Sequence, residues 1–557
     1  MKPKLYTLSL VLTILSLVVS ACGTVAQLAG PRVTVSIVYG SEKRDWLEPL
    51  IAQFNTEQHK TDAGATITVE STAMGSIESV TAIIDGAIQP AVWSPASSVY
   101  IPVANAEWRK QNASDLVTGT PNDLVLSPVV IAMWKPMADA LGYPKTPLGW
   151  ADIARLATSD KGWADYGFPE WGKFKFGHTH PGFSNSGVVA VLAQIYAATG
   201  KQRDLTPADV ADPKTAAFVA DVQKSIIHYG TSTGFFADRM FQGGPSYLSA
   251  AVLYENLIVA QETKRLAGQV SQVPVVAVYP KEGTFWSNHP YITLNAPWVT
   301  AEQKSAAEVF EKYLLDKPQQ LKALEFGFRP ADAAIPLTAP LDAQHGVDPS
   351  QPQTILEIPS AEVIQSALGL WKQAKKPVDV VVVMDISGSM AGDKIATART
   401  SLVQFINQLD DRDRLEVRTF NDELMMLSPL APVGEKRAEL TQRVSGIFES
   451  GGTALYDAVS AAYADLAANG DPNHIRAVVV LTDGQDTASA QTLNTLLGQI
   501  SRTAEEGGNA IKLFTIAFGG DADNDVLKQI AEATGGKQYA GDPQSILLVY
   551  ADIATFF

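Results

Sequence analysis

Val380-Val381-Val382-Val383-Met384-Asp385-Ile386-Ser387-Gly388-Ser389 decides how the C-terminal part of this 557-residue chain folds. Four β-branched apolar residues in a row, with no polar alternation, suit a strand covered on both faces of a parallel sheet. An acid and two hydroxyls follow at once, so the strand runs straight into a polar loop. Downstream, helical spacing over 394–409 gives way to a strand at 415–420 and a helix at 454–468. A second continuous apolar strand at 477–481 follows, then a helix at 493–506, a strand at 513–517 and a helix at 526–533. Strict strand–helix alternation from about Pro377 predicts a doubly wound parallel α/β sheet. Ligand sites in such sheets lie beyond the carboxyl ends of the strands.

Three loops are expected on that rim. They read Asp385-Ile386-Ser387-Gly388-Ser389, Gly451-Gly452-Thr453 and Thr482-Asp483-Gly484. They gather carboxylates and hydroxyls and contain no His or Cys. Hard oxygen donors of this kind suit Mg²⁺, Mn²⁺ or Ca²⁺ rather than zinc or copper. The three motifs, in this order, resemble the metal-ion-dependent adhesion site (MIDAS) of a von Willebrand factor A domain, and the resemblance covers residues 376–557. It implies that Asp385, Ser387, Ser389, Thr453 and Asp483 surround one divalent ion. It also implies a protein partner that completes the coordination, through a carboxylate of its own. The plainer alternative is that Asp385 and Asp483 only cap helices and turns, as Asp often does. Asp521, Asp523 and Asp525 imitate the start of a calcium loop, but Val526 stands where that loop needs Gly. Helix capping by Asp523 or Asp525 is expected instead.

Upstream lies a second α/β region, residues 33–330. Alternating Val33 to Tyr39 reads as a strand that turns at Gly40-Ser41 into a helical pattern over 46–58. Strands at 66–70, 125–134 and 273–279 and helices at 76–85, 188–199 and 301–315 continue the alternation. The size of the region favours two lobes. The segments AVWSPASSVY (91–100), LSPVVIAMW (126–134), SNSG (184–187) and FEKYLLDKPQQLKALEFGFRP (310–330) resemble the extracellular solute-binding proteins of ABC transporters. That resemblance implies a two-lobed, periplasmic-binding-protein-like domain closing on a small solute in an inter-lobe cleft. Loops at strand ends nominate Ser41, Ser94, Ser184, Asn185, Ser186, Tyr254 and Glu255 as solute-binding residues, against an ordinary turn or capping role for each. His178 and His180 would share one face of a strand. They raise a metal-uptake site for which no third ligand is apparent. Residues 331–375 join the two regions as a Pro-rich linker, followed by an amphipathic helix over 360–373 with Ser360 as N-cap.

The N-terminus begins with Lys2 and Lys4, then an uncharged apolar stretch from Leu5 to Val19. At about 15 residues it is shorter than the ~20 that cross a bilayer as a helix. Val19-Ser20-Ala21-Cys22 resembles a lipobox, with Cys22 the only cysteine of the chain. The expectation is a lipoprotein signal peptide over 1–21, lipidation at Cys22, and a lipid-anchored tail over 22–32. The mature protein would then face the extracytoplasmic side of a bacterial cell membrane.

Composition narrows the function. Apolar residues are 46% of the chain and charged residues 18%, which is globular, while a net charge of −16 argues against nucleic-acid binding. A lone cysteine excludes a disulfide framework within the chain. The sequence holds no GxSxG elbow, no HExxH and no phosphate-binding P-loop, so no catalytic residues and no enzyme are expected. The expected protein is an anchored lipoprotein with two binding modules, one for a small solute and one for a protein partner, serving adhesion, sensing or assembly. The alternative is the substrate-binding component of an ABC importer that carries an accessory A domain.

Overall fold

A computed structural model describes residues 30–270, 272–505, 511–543 and 545–554. The signal peptide expected over 1–21, and Cys22 with the tail as far as residue 29, lie outside the described residues. Among the described residues no helix is long and apolar enough to cross a membrane. Internal contacts divide the chain into two compact units. One holds residues up to Ser127 together with Trp286–Asp342, and the other holds Pro128–Phe285 with the chain from Ala343 onward.

The first unit is built on a five-stranded sheet in the order Thr66–Ala73, Arg32–Tyr39, Val92–Ser94, Pro290–Thr293, Asn122–Asp123. The first three strands are parallel, and Pro290–Thr293 runs antiparallel to Val92–Ser94. Arg32–Tyr39 alternates as expected and buries Val33, Val35 and Ile37. Helices Arg44–Glu57 and Ala301–Leu315 close the core through Trp46, Phe54 and Phe310, the last two in an edge-on contact at 4.9 Å.

The second unit contains two sheets. In one, residues 129–134 pair antiparallel with Ala250–Tyr254 and with Val275–Val278. Phe176–Thr179 then pairs parallel with Ala250–Tyr254, and Ile226–Gly230 with Phe176–Thr179. The other sheet has six strands in the order Leu424–Pro432, Arg414–Phe420, Val378–Asp385, Ile475–Thr482, Lys512–Phe518, Lys537–Gly541. Its five strands from Arg414–Phe420 onward are parallel, and only the edge strand Leu424–Pro432 is antiparallel. Val381, Val383, Val478 and Val480 form one core with helix Leu455–Asn469. Val380 and Val382 are equally buried, so both faces of the sheet are covered.

The segment before this sheet is packed rather than free. Glu357 O accepts from Tyr196 Oη at 2.9 Å, and Leu356 N donates to Thr284 O at 2.8 Å. Helix Ala361–Ala374 is capped by Ser360, whose Oγ accepts from Val363 N at 3.4 Å. Its buried Trp371 meets His180 edge-on at 4.7 Å and Tyr229 at 5.3 Å.

Candidate functional sites

The central strand Val378–Asp385 delivers Asp385, fully buried, to the carboxyl rim of the six-stranded sheet. Its Oδ1 accepts from Ser387 N at 2.7 Å and its Oδ2 from Thr482 Oγ1 at 2.5 Å. Ser387 Oγ lies 3.0 Å from Ser389 Oγ, and Ser389 Oγ donates to Asp483 Oδ1 at 2.8 Å. Side chains therefore tie the first loop to the third.

Backbone ties the second loop to the first. Gly388 N donates to Gly451 O at 3.0 Å, and Ser450 N to Ile386 O at 2.6 Å. Gly451 has φ +84°, in the region that favours glycine. Thr453 N donates to Thr487 Oγ1, and Thr453 O accepts from the backbone of Thr487 and Ala488. Among the described residues the Thr453 hydroxyl makes no hydrogen bond. A Cβ built on Gly484 would lie 3.4 Å from Thr453 Oγ1 and 3.8 Å from Ser389 Oγ, so these two hydroxyls flank Gly484. The structure thus gathers all five rim residues of the sequence reading.

Charge on this rim is unbalanced. Asp385 and Asp483 are both fully buried. Burial pushes the Asp385 carboxyl above its usual range and the charge of Asp483 adds to that, while hydrogen bonds from Thr482 and Ser387 oppose it. Among the described residues one cation is paired with them: Lys394 Nζ sits 2.6 Å from Asp483 Oδ2 and 3.7 Å from the exposed Asp521. Two carboxylates beside neutral hydroxyls, with a single ammonium against them, fit a hard divalent cation. Among the described residues no group of three or more His, Cys, Asp or Glu is placed to hold a metal. Lys394 belongs to the site but carries no motif signal, because it lies in a helical run; Thr482 opens the third motif, and its bond to Asp385 adds it to the five residues nominated there. Asp523 caps helix Asn524–Glu532, accepting from Val526 N at 3.1 Å, as expected.

The residues nominated for solute binding fall into separate groups. In the first unit, Ser94 ends its strand with its carbonyl accepting from Gly40 N at 3.1 Å. Ser94 Oγ is buried without a hydrogen-bond partner among the described residues, and Ser41 is buried beside the turn. In the second unit, Ser184, Asn185 and Ser186 open helix Asn185–Thr199. Ser186 Oγ bonds Thr179 Oγ1 at 2.6 Å and Thr233 Oγ1 at 2.8 Å, and Ser184 Oγ lies 3.3 Å from Thr233 Oγ1. Asn185 Nδ2 donates to Tyr254 Oη at 3.0 Å, and Asn185 Oδ1 is buried with no hydrogen bond among the described residues. Glu255, which follows Tyr254 and opens helix Glu255–Leu266, accepts from Tyr279 Oη. Thr179 and Thr233 were not singled out in the sequence; a hydroxyl at a strand end or a helix start looks ordinary there.

His178 and His180 hold ordinary partners. His178 is fully buried, with Nδ1 on Thr179 O at 2.8 Å and Nε2 3.4 Å from Gln223 Nε2. His180 Nδ1 accepts from Gly182 N at 3.0 Å.

Comparison with known proteins divides the chain differently from its compact units: one family match runs through both units and the other lies within one. The family model described as bacterial extracellular solute-binding protein matches residues 35–329, and that of the von Willebrand factor type A domain matches 379–545. An uncharacterised protein of Mycobacterium tuberculosis is 25% identical over 487 residues, covering 80% of this chain and 64% of its own length. The chain therefore spans less than two thirds of that relative. Among solved structures, a periplasmic thiamin binding protein aligns over 62% of this chain and 96% of its own, with 12% identity and a TM-score of 0.44. A von Willebrand factor type A protein from Catenulispora acidiphila aligns over 32% of this chain and 42% of its own, with 23% identity and a TM-score of 0.29. The chain belongs to the bacterial extracellular solute-binding protein family and carries a von Willebrand factor type A domain behind its solute-binding domain.

Proposed function

We propose that this protein is an extracytoplasmic binding lipoprotein, anchored through Cys22, with two modules and no catalytic role. The solute-binding domain takes a small solute. The A domain engages a protein partner through a divalent ion held by Asp385, Ser387, Ser389, Thr453 and Asp483. Family membership supports the solute ligand and the location outside the cytoplasm. The observation that carries the metal reading is the hydrogen-bonded oxygen network from Asp385 through Ser387 and Ser389 to Asp483. It clusters two buried carboxylates with three neutral hydroxyls nearby, a low-charge donor set. Mg²⁺ bound there supplies an electrophilic centre able to take a carboxylate from a partner. The chain's own part is to aim the hydroxyls and to keep Asp385 and Asp483 buried.

Calorimetric titration of the full chain with Mg²⁺ is the test. The wild type is expected to bind, and Asp385→Asn to lose binding while keeping its circular dichroism and cooperative melting. Asn keeps the shape of Asp and one acceptor oxygen, so a loss of Mg²⁺ binding with the fold intact reports the missing charge. Undiminished affinity in Asp385→Asn overturns the site. Partner capture that survives EDTA overturns its role.

A further inference from the structure

A cleft of about 730 Å³ in the second unit is lined by Lys173, Lys175, Lys224 and Lys376 against one carboxylate, Asp160. The contrast with the whole chain, at −16, makes this a local concentration of positive charge. The volume is that of a small-molecule site. We propose that this cleft is a second ligand site, taking a small phosphate-bearing anion where the solute-binding domain meets the A domain.

The geometry gives each lysine a place. Lys376 stands just before strand Val378–Asp385, and Asn473 just before strand Ile475–Thr482, at the amino ends of the A-domain sheet. The other three lysines come from the facing wall of the solute-binding domain. Lys224 is paired with Asp221 at 2.6 Å. Lys175 Nζ donates to Ser246 O at 2.7 Å, and Lys173 to the carbonyls of Ser159 and Asp160. Carbonyl acceptors satisfy one N–H each and leave the charge uncompensated, and an ammonium carries three donors. Lys376 has no ion-pair or hydrogen-bond partner among the described residues. Burial pushes its ammonium down to about 8, and no neighbouring acid raises it again. An anion in the cleft would supply the missing counter-charge.

The class of anion follows from the donors. The lining contains no Arg, so the planar fork that favours a carboxylate is missing. Lysines act as point charges, and these reach the cleft from separate segments of the chain, which suits a tetrahedral oxyanion better than a planar one. Thr158, Ser159, Ser225 and Asn473 add neutral donors around them. The site lies at the opposite end of the strands from Asp385 and Asp483, so it is separate from the metal rim.

Pyrophosphate is the probe, titrated calorimetrically into the full chain in metal-free buffer at pH 8.5. Binding is expected to weaken with added salt and to draw a proton from solution, because the anion favours the charged form of Lys376. Proton uptake is read by repeating the titration in buffers of different ionisation enthalpy. Lys376→Met keeps the apolar stem. It should weaken pyrophosphate at least tenfold and abolish the uptake, with melting temperature and Mg²⁺ binding retained. Equal affinity in Lys376→Met, absence of binding at millimolar pyrophosphate, or preference for citrate over pyrophosphate would each overturn the proposal. Mg²⁺ binding is read separately, so failure here leaves the metal reading standing.

Discussion

At Lys394 the rim proposed to hold a metal already has a positive charge of its own. Its Nζ lies 2.6 Å from Asp483 Oδ2, and this carboxylate holds its ammonium above the usual lysine range. A divalent cation bound as proposed would compete with this ammonium for the same buried oxygen. Lys394→Ala is therefore expected to tighten Mg²⁺ binding by about fivefold, near the ~1 kcal/mol that a partly exposed ion pair contributes. Asp521, 3.7 Å from the same Nζ and exposed, offers the lysine a second partner when it leaves Asp483. Calorimetry on Lys394→Ala and Asp521→Asn checks both halves: the first should bind Mg²⁺ more tightly, the second more weakly. Thr453→Ala should cost less than either carboxylate, because its hydroxyl is neutral and makes no bond among the described residues. The order of Mg²⁺ affinities across Asp385→Asn, Thr453→Ala and Lys394→Ala decides the arrangement.

Helix Asn185–Thr199 shows how an element positions a site by coming close. Gly187 has no room for a side chain: a Cβ there would sit 2.3 Å from Thr179 O and 2.8 Å from Pro181 N. Backbone cannot yield as a side chain tip can, so Gly187→Ala must push the helix start away from strand Phe176–Thr179. The expected cost is about 1–3 kcal/mol, with the Ser186–Thr179 and Asn185–Tyr254 bonds lengthened. A lower melting temperature with unchanged solute affinity would show that these hydroxyls serve the fold alone. The same scale explains what sequence could and could not reveal. Buried parallel strands such as Val378–Asp385 announce themselves through unbroken β-branched runs, and the rim loops follow them directly. The edge strand Leu424–Pro432 does not, because Pro429 and Pro432 read as loop and an edge position tolerates them. Helix Val433–Ser445 went unread because only Val433, Leu440 and Val444 of its 13 residues are buried, and strand Lys537–Gly541 because five residues show little periodicity. Lys394 went unread for another reason: its role comes from proximity between elements far apart in the chain.

Across the whole molecule, buried imidazoles set the response to acid. Burial pushes His178 and His289 down to about 4, and His180 and His228 well below their usual value. The folded state keeps them neutral, while the unfolded chain takes up protons below about 6.5. The unfolded state therefore binds more protons between pH 6.5 and 4, so stability rises with pH through that window and is lost on acidification. Each such group contributes up to about 1.4 kcal/mol per pH unit there. Melting temperature should fall steeply from pH 6.5 to 4, and His178→Gln should flatten the fall; a level profile would contradict the buried, neutral state. Strand Val378–Asp385 carries a mechanical consequence as well. It is paired in parallel register on both sides, with Arg414–Phe420 and with Ile475–Thr482. The chain enters it at Val378, while a partner held at the rim would pull from Asp385. Tension then runs along the strand, at right angles to its hydrogen bonds, so the bonds of both ladders share the load instead of parting one by one. A strand loaded in this shearing direction withstands far more force than one whose bonds unzip.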